Sequence, residues 1–225
     1  MTKEQVLAGI VKAKVVAVIR LKDAARLAEV AAALSRGGVT ALEVTMTVPG
    51  AVEIIREMAR TKAPGTLVGA GTVLDAGTAT DVIAAGADFV VSPITDPETI
   101  RACGEAGVLV VPGAFTPTEI VAAWNAGASL VKVFPATSLG PQFVRDMRGP
   151  LPHIRLMPTG GVTLENVREF LAAGAAAVGI GTALVDAKSV ESGDWEALES
   201  RARQLIASLA PGGLGPVLPG SLGGR

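Results

Sequence analysis

The sequence predicts an α/β protein, a (β/α)8 TIM barrel with an extra N-terminal helix, and three observations carry that prediction. The first is a repeated phrase in which an Ala-rich stretch ends at Gly and an apolar strand begins a few residues later. It occurs at Gly37-Gly38-Val39-Thr40-Ala41-Leu42, Gly86-Ala87-Asp88-Phe89, Gly107-Val108-Leu109, Gly127-Ala128-Ser129-Leu130 and Gly174-Ala175-Ala176-Ala177. Gly just past a helix end is the common left-handed C-cap, and strand–helix alternation at this spacing marks βα units. The second is composition: 49% of the 225 residues are hydrophobic, which suits parallel strands buried on both faces. The third is an absence. No Gly-x-Gly-x-x-Gly turn with an acidic residue after the next strand is present, and a doubly wound dinucleotide sheet would carry one.

The elements follow in order. A helix near 3–12 precedes the barrel and is placed to plug its bottom. Apolar runs give strands at 15–20, 41–46, 66–71, 88–92, 108–112, 130–134, 155–159 and 177–181. Helical stretches lie between and after them, near 23–36, 50–61, 76–85, 96–105, 117–126, 141–147, 163–173 and 194–209. Asp23, Asp75, Asp96, Thr116 and Thr163 stand at helix entries, where a short polar side chain can accept an orphan backbone N–H. The eight units form one domain over 1–210, near the short end of the barrel size range. Residues 211–225 are dominated by Gly and Pro, as expected of a flexible or loosely docked tail.

Composition also excludes function classes. A net charge of −1 without a basic block, and no Tyr, disfavour nucleic acid or an anionic membrane as partner. The segment Met1-Thr2-Lys3-Glu4-Gln5 lacks the apolar core of a signal peptide, and no apolar run reaches the roughly 18 residues of a membrane span. One cysteine, Cys103, excludes an internal disulfide and fits a reducing cytoplasm. Cys103 and His153 are the only thiol and imidazole, so a metal site would need carboxylates alone. That disfavours metal-dependent chemistry and favours a covalent route through lysine. His153 precedes a strand and belongs to the stability face of a barrel.

Lys132 sits in the apolar run Ser129-Leu130-Val131-Lys132-Val133-Phe134-Pro135. A buried ammonium costs several kcal/mol unless paired, so desolvation should lower its pKa. A neutral lysine amine is suited to Schiff-base formation with a ketone. The plainer alternative is a lysine that snorkels to the rim. In the second strand Leu42, Val44 and Met46 suit the helix-facing side, which turns Ala41, Glu43 and Thr45 inward. Glu43 is therefore either the structural ion partner of Lys132 or a general acid/base beside it.

Other polar residues gather at strand C-terminal ends, the catalytic face of this fold: Arg20, Gly69-Ala70-Gly71-Thr72, Ser92-Pro93 and Pro158-Thr159. Two Gly-rich turns follow, Thr159-Gly160-Gly161-Val162 and Gly179-Ile180-Gly181-Thr182. Glycines allow backbone N–H groups close to an anion, and a helix N-terminus adds a favourable dipole. Turns after the last two strands are the frequent phosphate site of barrels.

Taken together, Leu42-Glu43-Val44-Thr45, Gly69-Ala70-Gly71-Thr72-Val73, Val131-Lys132-Val133-Phe134-Pro135 and Pro158-Thr159-Gly160-Gly161-Val162 resemble the 2-keto-3-deoxy-6-phosphogluconate (KDPG) and 4-hydroxy-2-oxoglutarate aldolases, over roughly residues 4–208. The resemblance implies a class I, metal-free and cofactor-free aldolase, commonly a homotrimer, acting on a 2-oxo acid and a phosphorylated aldehyde. It implies Lys132 as the Schiff-base lysine and Glu43 as the acid/base. Thr72 matches a substrate contact, and Phe134, Pro93 and Thr159 match pocket walls. Gly160, Gly161, Gly181 and Thr182 match phosphate-binding turns. One departure stands out: some members carry Arg four residues after the glutamate, where this chain has Thr47. Arg20, inward by alternation with Val16 and Val18, is the expected replacement charge. The rival readings are a phosphate-binding barrel isomerase or synthase, and a non-catalytic oligomeric barrel in which Lys132 and Glu43 are only an ion pair.

Overall fold

The computed structural model describes residues 1–22 and 24–210. The expected cap Asp23 and the expected tail over 211–225 lie outside them. Helix α1 (Lys3–Ala13) comes first, opened by a capping box in which Thr2 and Gln5 satisfy each other's backbone N–H. The strands are β1 (Val15–Ile19), β2 (Ala41–Thr45), β3 (Leu67–Gly71), β4 (Phe89–Val91), β5 (Leu109–Val111), β6 (Gly113–Ala114), β7 (Val131–Val133), β8 (Leu156–Pro158) and β9 (Val178–Ile180). Between and after them run α2 (Leu27–Arg36), α3 (Ala51–Thr61), α4 (Ala76–Ala84), α5 (Pro97–Glu105), α6 (Pro117–Asn125), α7 (Gly140–Arg148), α8 (Val167–Ala172), α9 (Ala187–Ser192) and α10 (Trp195–Ser208).

The predicted caps act as their chemistry requires. Asp75 accepts from the Thr78 N–H at 2.8 Å, and Asp96 accepts from the Thr99 N–H at 2.9 Å. Thr116 forms a capping box with Glu119. Each such cap is worth about 1 kcal/mol. Thr163 caps the turn that leads into α8: its Oγ1 accepts from the Asn166 N–H at 3.4 Å while Asn166 Oδ1 accepts from the Thr163 N–H at 2.8 Å, and α8 itself starts at Val167. The helix expected from residue 23 begins as a 3₁₀ turn, Ala24–Arg26, and becomes α-helical at Leu27. Helix α9 was not expected from the sequence; it is short and opened by Asp186 accepting from the Ser189 N–H.

All strand pairings are parallel. Six strands form a curled sheet in the order β5-β4-β3-β2-β1-β9, and three form a second, β6-β7-β8. The eight unbroken strands of the expected barrel are thus not what the hydrogen bonds draw. The run over 108–112 is split at Pro112, which has no N–H to donate. Before the proline the chain pairs with β4, and after it with β7. Thr159 makes a parallel bridge with Gly179, and the Ala176 N–H donates to Leu156 O at 2.9 Å.

Strand alternation sorts the core into two layers. Val16, Ala41, Leu67, Phe89, Leu109, Leu130 and Met157 form an inner cluster, sealed by Val6 and Ile10 of α1. Leu42, Val44, Val131, Val133 and Val178 belong to the outer cluster that packs on the helices. Glu43 and Lys132 are therefore on inner-facing positions of β2 and β7. Cys103 is fully buried on α5, and burial pushes its thiol up to about 11. His153 is exposed, with its ring edge-on to Trp124 at 5.9 Å. Among the described residues no helix is long and apolar enough to cross a membrane, and no cluster of three His, Cys, Asp or Glu side chains could hold a metal ion.

Candidate active site

Glu43 is 1% exposed, and neither carboxyl oxygen has a hydrogen-bond partner. Such a group is costly unless something else meets it. The sequence makes room for it at Gly71, one strand over: a Cβ there would overlap Glu43 Oε1. Lys132 is 4% exposed, and its Nζ lies 4.7 Å from the centroid of the Phe134 ring. No ion pair or hydrogen bond joins the two side chains, although each acts on the other's charge.

Burial dominates both. It raises the pKa of Glu43 above the ordinary carboxylate value, against the opposing pull of Lys132 and then Arg20. It lowers that of Lys132 below the ordinary amine value; Glu43 opposes that shift and Arg20 adds to it. Both shifts favour the uncharged form, as expected where two ions would leave water without close pairing. Burial thus biases an amine and a carboxyl in one apolar interior toward their uncharged forms.

Above them opens a cavity of about 180 Å³. Phe134 links the two, since its ring lines the cavity and also covers the amine. The walls include Thr159, the turn Gly160-Gly161-Val162 and the turn Gly181-Thr182, with Arg20 at the end of β1. Gly160 and Gly161 have φ of +85° and +76°, a region in which side chains are strained. Gly161 is also confined by Thr137, whose Cα would lie 2.7 Å from an added Cβ. Gly179 meets Thr159 in the same way, so the threonine leans over a strand that has no side chain at that point.

Of the residues expected from the sequence, Arg20, Phe134, Thr159, Gly160, Gly161, Gly181 and Thr182 share this cavity. Lys132 and Glu43 lie below it. Thr72 and Pro93 are half-buried at the ends of β3 and β4 and do not line it. Thr72 has φ of +60°, uncommon for a β-branched residue and the kind of local strain found at functional sites. Arg20 keeps the alternation with Val16 and Val18 as far as the cavity: Val16 is in the inner cluster, and Val18 and Arg20 line the cavity wall. Arg20 follows β1, is exposed, and lines the mouth, with its charge still acting on both buried groups. Sequence reasoning quoted Val162 only as the end of a Gly-rich turn and did not single out Val185 or Asn166. Val162 and Val185 look like ordinary core residues, whereas the spacing Thr163-x-x-Asn166 was a readable turn signal.

The chain matches the family model for KDPG and KHG aldolases over residues 6–201. It is 36% identical over 200 residues to a 2-dehydro-3-deoxy-phosphogluconate aldolase of Pseudomonas aeruginosa, covering 88% of this chain and 90% of that one. It is likewise 36% identical over 194 residues to the KHG/KDPG aldolase of Escherichia coli strain K12, covering 85% and 90%. Its fold is similar to the crystal structure of a KDPG aldolase from Legionella pneumophila in which pyruvate was captured as a covalent carbinolamine. That likeness has a TM-score of 0.82 at 30% identity, covering 88% of this chain and 97% of the other.

Proposed function

The chain belongs to the KDPG and KHG aldolase family, and from that premise we propose how its own residues carry the reaction. It is a class I aldolase, a carbon–carbon lyase. It cleaves KDPG to pyruvate and glyceraldehyde 3-phosphate, or 4-hydroxy-2-oxoglutarate to pyruvate and glyoxylate.

Neutral Lys132 attacks the ketone of the 2-oxo acid and gives a carbinolamine. Protonated Glu43 supplies the proton with which the hydroxyl leaves as water. Iminium and carboxylate then appear together, so the cation forms only as its counter-charge does. The carboxylate, directly or through a water, takes the C4-hydroxyl proton. The C3–C4 bond breaks, its electrons enter the iminium, and the aldehyde leaves the enamine of pyruvate. Glu43 returns the proton to C3, water adds to the iminium, and pyruvate departs from the neutral amine. The phosphate of KDPG is held at Gly160, Gly161, Gly181 and Thr182, with Arg20 at the mouth. Thr72 and Pro93 border the 2-oxo acid end, while Phe134 and Thr159 form walls.

The observation that carries this reading is the burial of an amine and a carboxyl in one apolar interior, with both oxygens of the carboxyl unpartnered. An inert ion pair would be joined by hydrogen bonds. The test is to incubate the protein with pyruvate and borohydride and map the reduced adduct. The adduct belongs on Lys132, and Lys132→Ala should abolish both adduct and cleavage. Retention of more than trace turnover would remove the lysine mechanism.

We also read the two sheets as one closed eight-stranded barrel. The Thr159–Gly179 bridge and the single-residue gap at Pro112 support closure. The partners are small molecules, and we propose a homotrimer. Leu74, Ile94 and Phe115 support self-association: they are 52%, 47% and 39% exposed, on adjacent loops after β3, β4 and β6.

A further inference from the structure

Asn166 stands outside the cavity but fastens a peptide that lines it. Its Nδ2 donates to Gly161 O at 2.8 Å, while its Oδ1 accepts from the Thr163 N–H at 2.8 Å. Its own N–H reaches Thr163 Oγ1 at 3.4 Å. The peptide between Gly161 and Val162 is trans, so its carbonyl and its N–H point in opposite directions across one plane. Fastening Gly161 O toward Asn166 therefore aims the Val162 N–H away from Asn166. Gly161 and Val162 both line the cavity. Among the described residues, neither N–H has an acceptor within the chain. On its other side Gly161 is confined by Thr137.

We propose that Asn166 is a positioning residue that locks the Gly161–Val162 peptide so that the Val162 N–H serves as a donor to the substrate's phosphate. The inference rests on the reading that the phosphate binds at these turns. The side chain must donate and accept at once, which an amide can do and a carboxylate cannot. Preorganised backbone donors matter most where they meet concentrated negative charge. Unphosphorylated substrates make no use of this peptide.

The experiment compares steady-state cleavage of KDPG and 4-hydroxy-2-oxoglutarate by the wild type, Asn166→Ala and Asn166→Asp. Competition by inorganic phosphate, pyruvate–borohydride trapping and thermal melting accompany it. Asn166→Asp keeps the acceptor for the Thr163 N–H but loses the donor to Gly161 O. Both variants should raise KM for KDPG about tenfold, as expected for one hydrogen bond to a placed group. Its kcat should change far less, and KM for 4-hydroxy-2-oxoglutarate and the trapping should change little. Restoration of the wild-type KM for KDPG by Asn166→Asp would reduce Asn166 to a turn cap and overturn the proposal. Equal losses on both substrates would overturn it as well. A wild type that neither favours KDPG nor responds to inorganic phosphate would instead remove the phosphate reading beneath it.

Discussion

Gly71 lies where any side chain would collide with the carboxylate of Glu43. The two residues sit on paired strands, β3 and β2, and one exists in its conformation because the other lacks a Cβ. The consequence is testable. Gly71→Ala should push the carboxylate off its position while leaving the lysine intact. A misplacement of about 1 Å can cost about 100-fold in rate. Cleavage should fall by that order, while borohydride still traps pyruvate on Lys132, more slowly because Glu43 also assists iminium formation. Complete loss of trapping, in a protein that still melts cooperatively, would show that the substitution disables the lysine rather than displacing the carboxylate alone.

The titration of Glu43 carries a sign that can be measured. Its folded pKa is raised above the 4.5 of an ordinary glutamate. Between those two values the folded state binds the extra proton, so stability falls as pH rises through that window. Glu43→Gln cannot titrate. The melting temperature of the wild type, relative to the variant, should therefore decline from pH 4.5 up to the folded pKa and then level off. The same variant should lose about 10²–10⁴-fold in cleavage rate, the usual contribution of general acid/base catalysis. A constant difference in melting temperature, or cleavage at the parental rate, would demote Glu43 to a packing partner.

Lys132 gives the complementary test. Its pKa is lowered from 10.5, chiefly by burial, so the amine becomes nucleophilic at a lower pH than a surface lysine. The rate of pyruvate trapping should rise with pH and reach half its maximum below 10.5. A midpoint at 10.5 or above would mean that the amine is solvated during the reaction.

The two Gly-rich turns should discriminate between substrates. Thr182→Val removes a hydroxyl, and Gly161→Val puts a side chain against Thr137 at a φ of +76°. Both should impair KDPG far more than 4-hydroxy-2-oxoglutarate. Equal losses would argue against a phosphate subsite there.

Arg20 and Thr47 can be tested as a pair. Thr47 is exposed, and its hydroxyl is engaged with Thr45 Oγ1 at 2.8 Å. Arg20 is the cation that, after Lys132, acts on Glu43. Arg20→Ala should weaken use of KDPG, and adding Thr47→Arg should recover part of the loss. Unchanged kinetics in Arg20→Ala would assign Arg20 to the solvent.

What the sequence disclosed, and what it withheld, follows from the range of each interaction. The inward turn of Glu43 was legible because Leu42 and Val44 must face helices, a rule that acts between neighbours. The Gly-rich turns were legible because glycines after the last two strands let backbone N–H groups approach an anion, and Gly160 and Gly161 also take the left-handed backbone that favours glycine. Arg20 was legible only in part: alternation with Val16 and Val18 brings it to the cavity, but β1 ends at Ile19 and leaves the side chain exposed at the mouth. The break at Pro112 was visible as a residue, but its effect depends on which strand lies alongside. The roles of Gly71 and Asn166 depend on a carboxylate 28 positions away and on a carbonyl held across a turn, and only the folded chain brings those atoms together.

The buried thiol has a practical consequence. Maleimides and related dyes react with accessible thiolates. Cys103 is inaccessible on α5 and ionises only near 11, so the native chain is a blank background at neutral pH. A cysteine introduced at exposed Thr137 would take a single fluorophore beside the Gly161 turn. The arrival of a phosphorylated ligand could then be watched as a change in emission, without removing any native residue other than the one labelled.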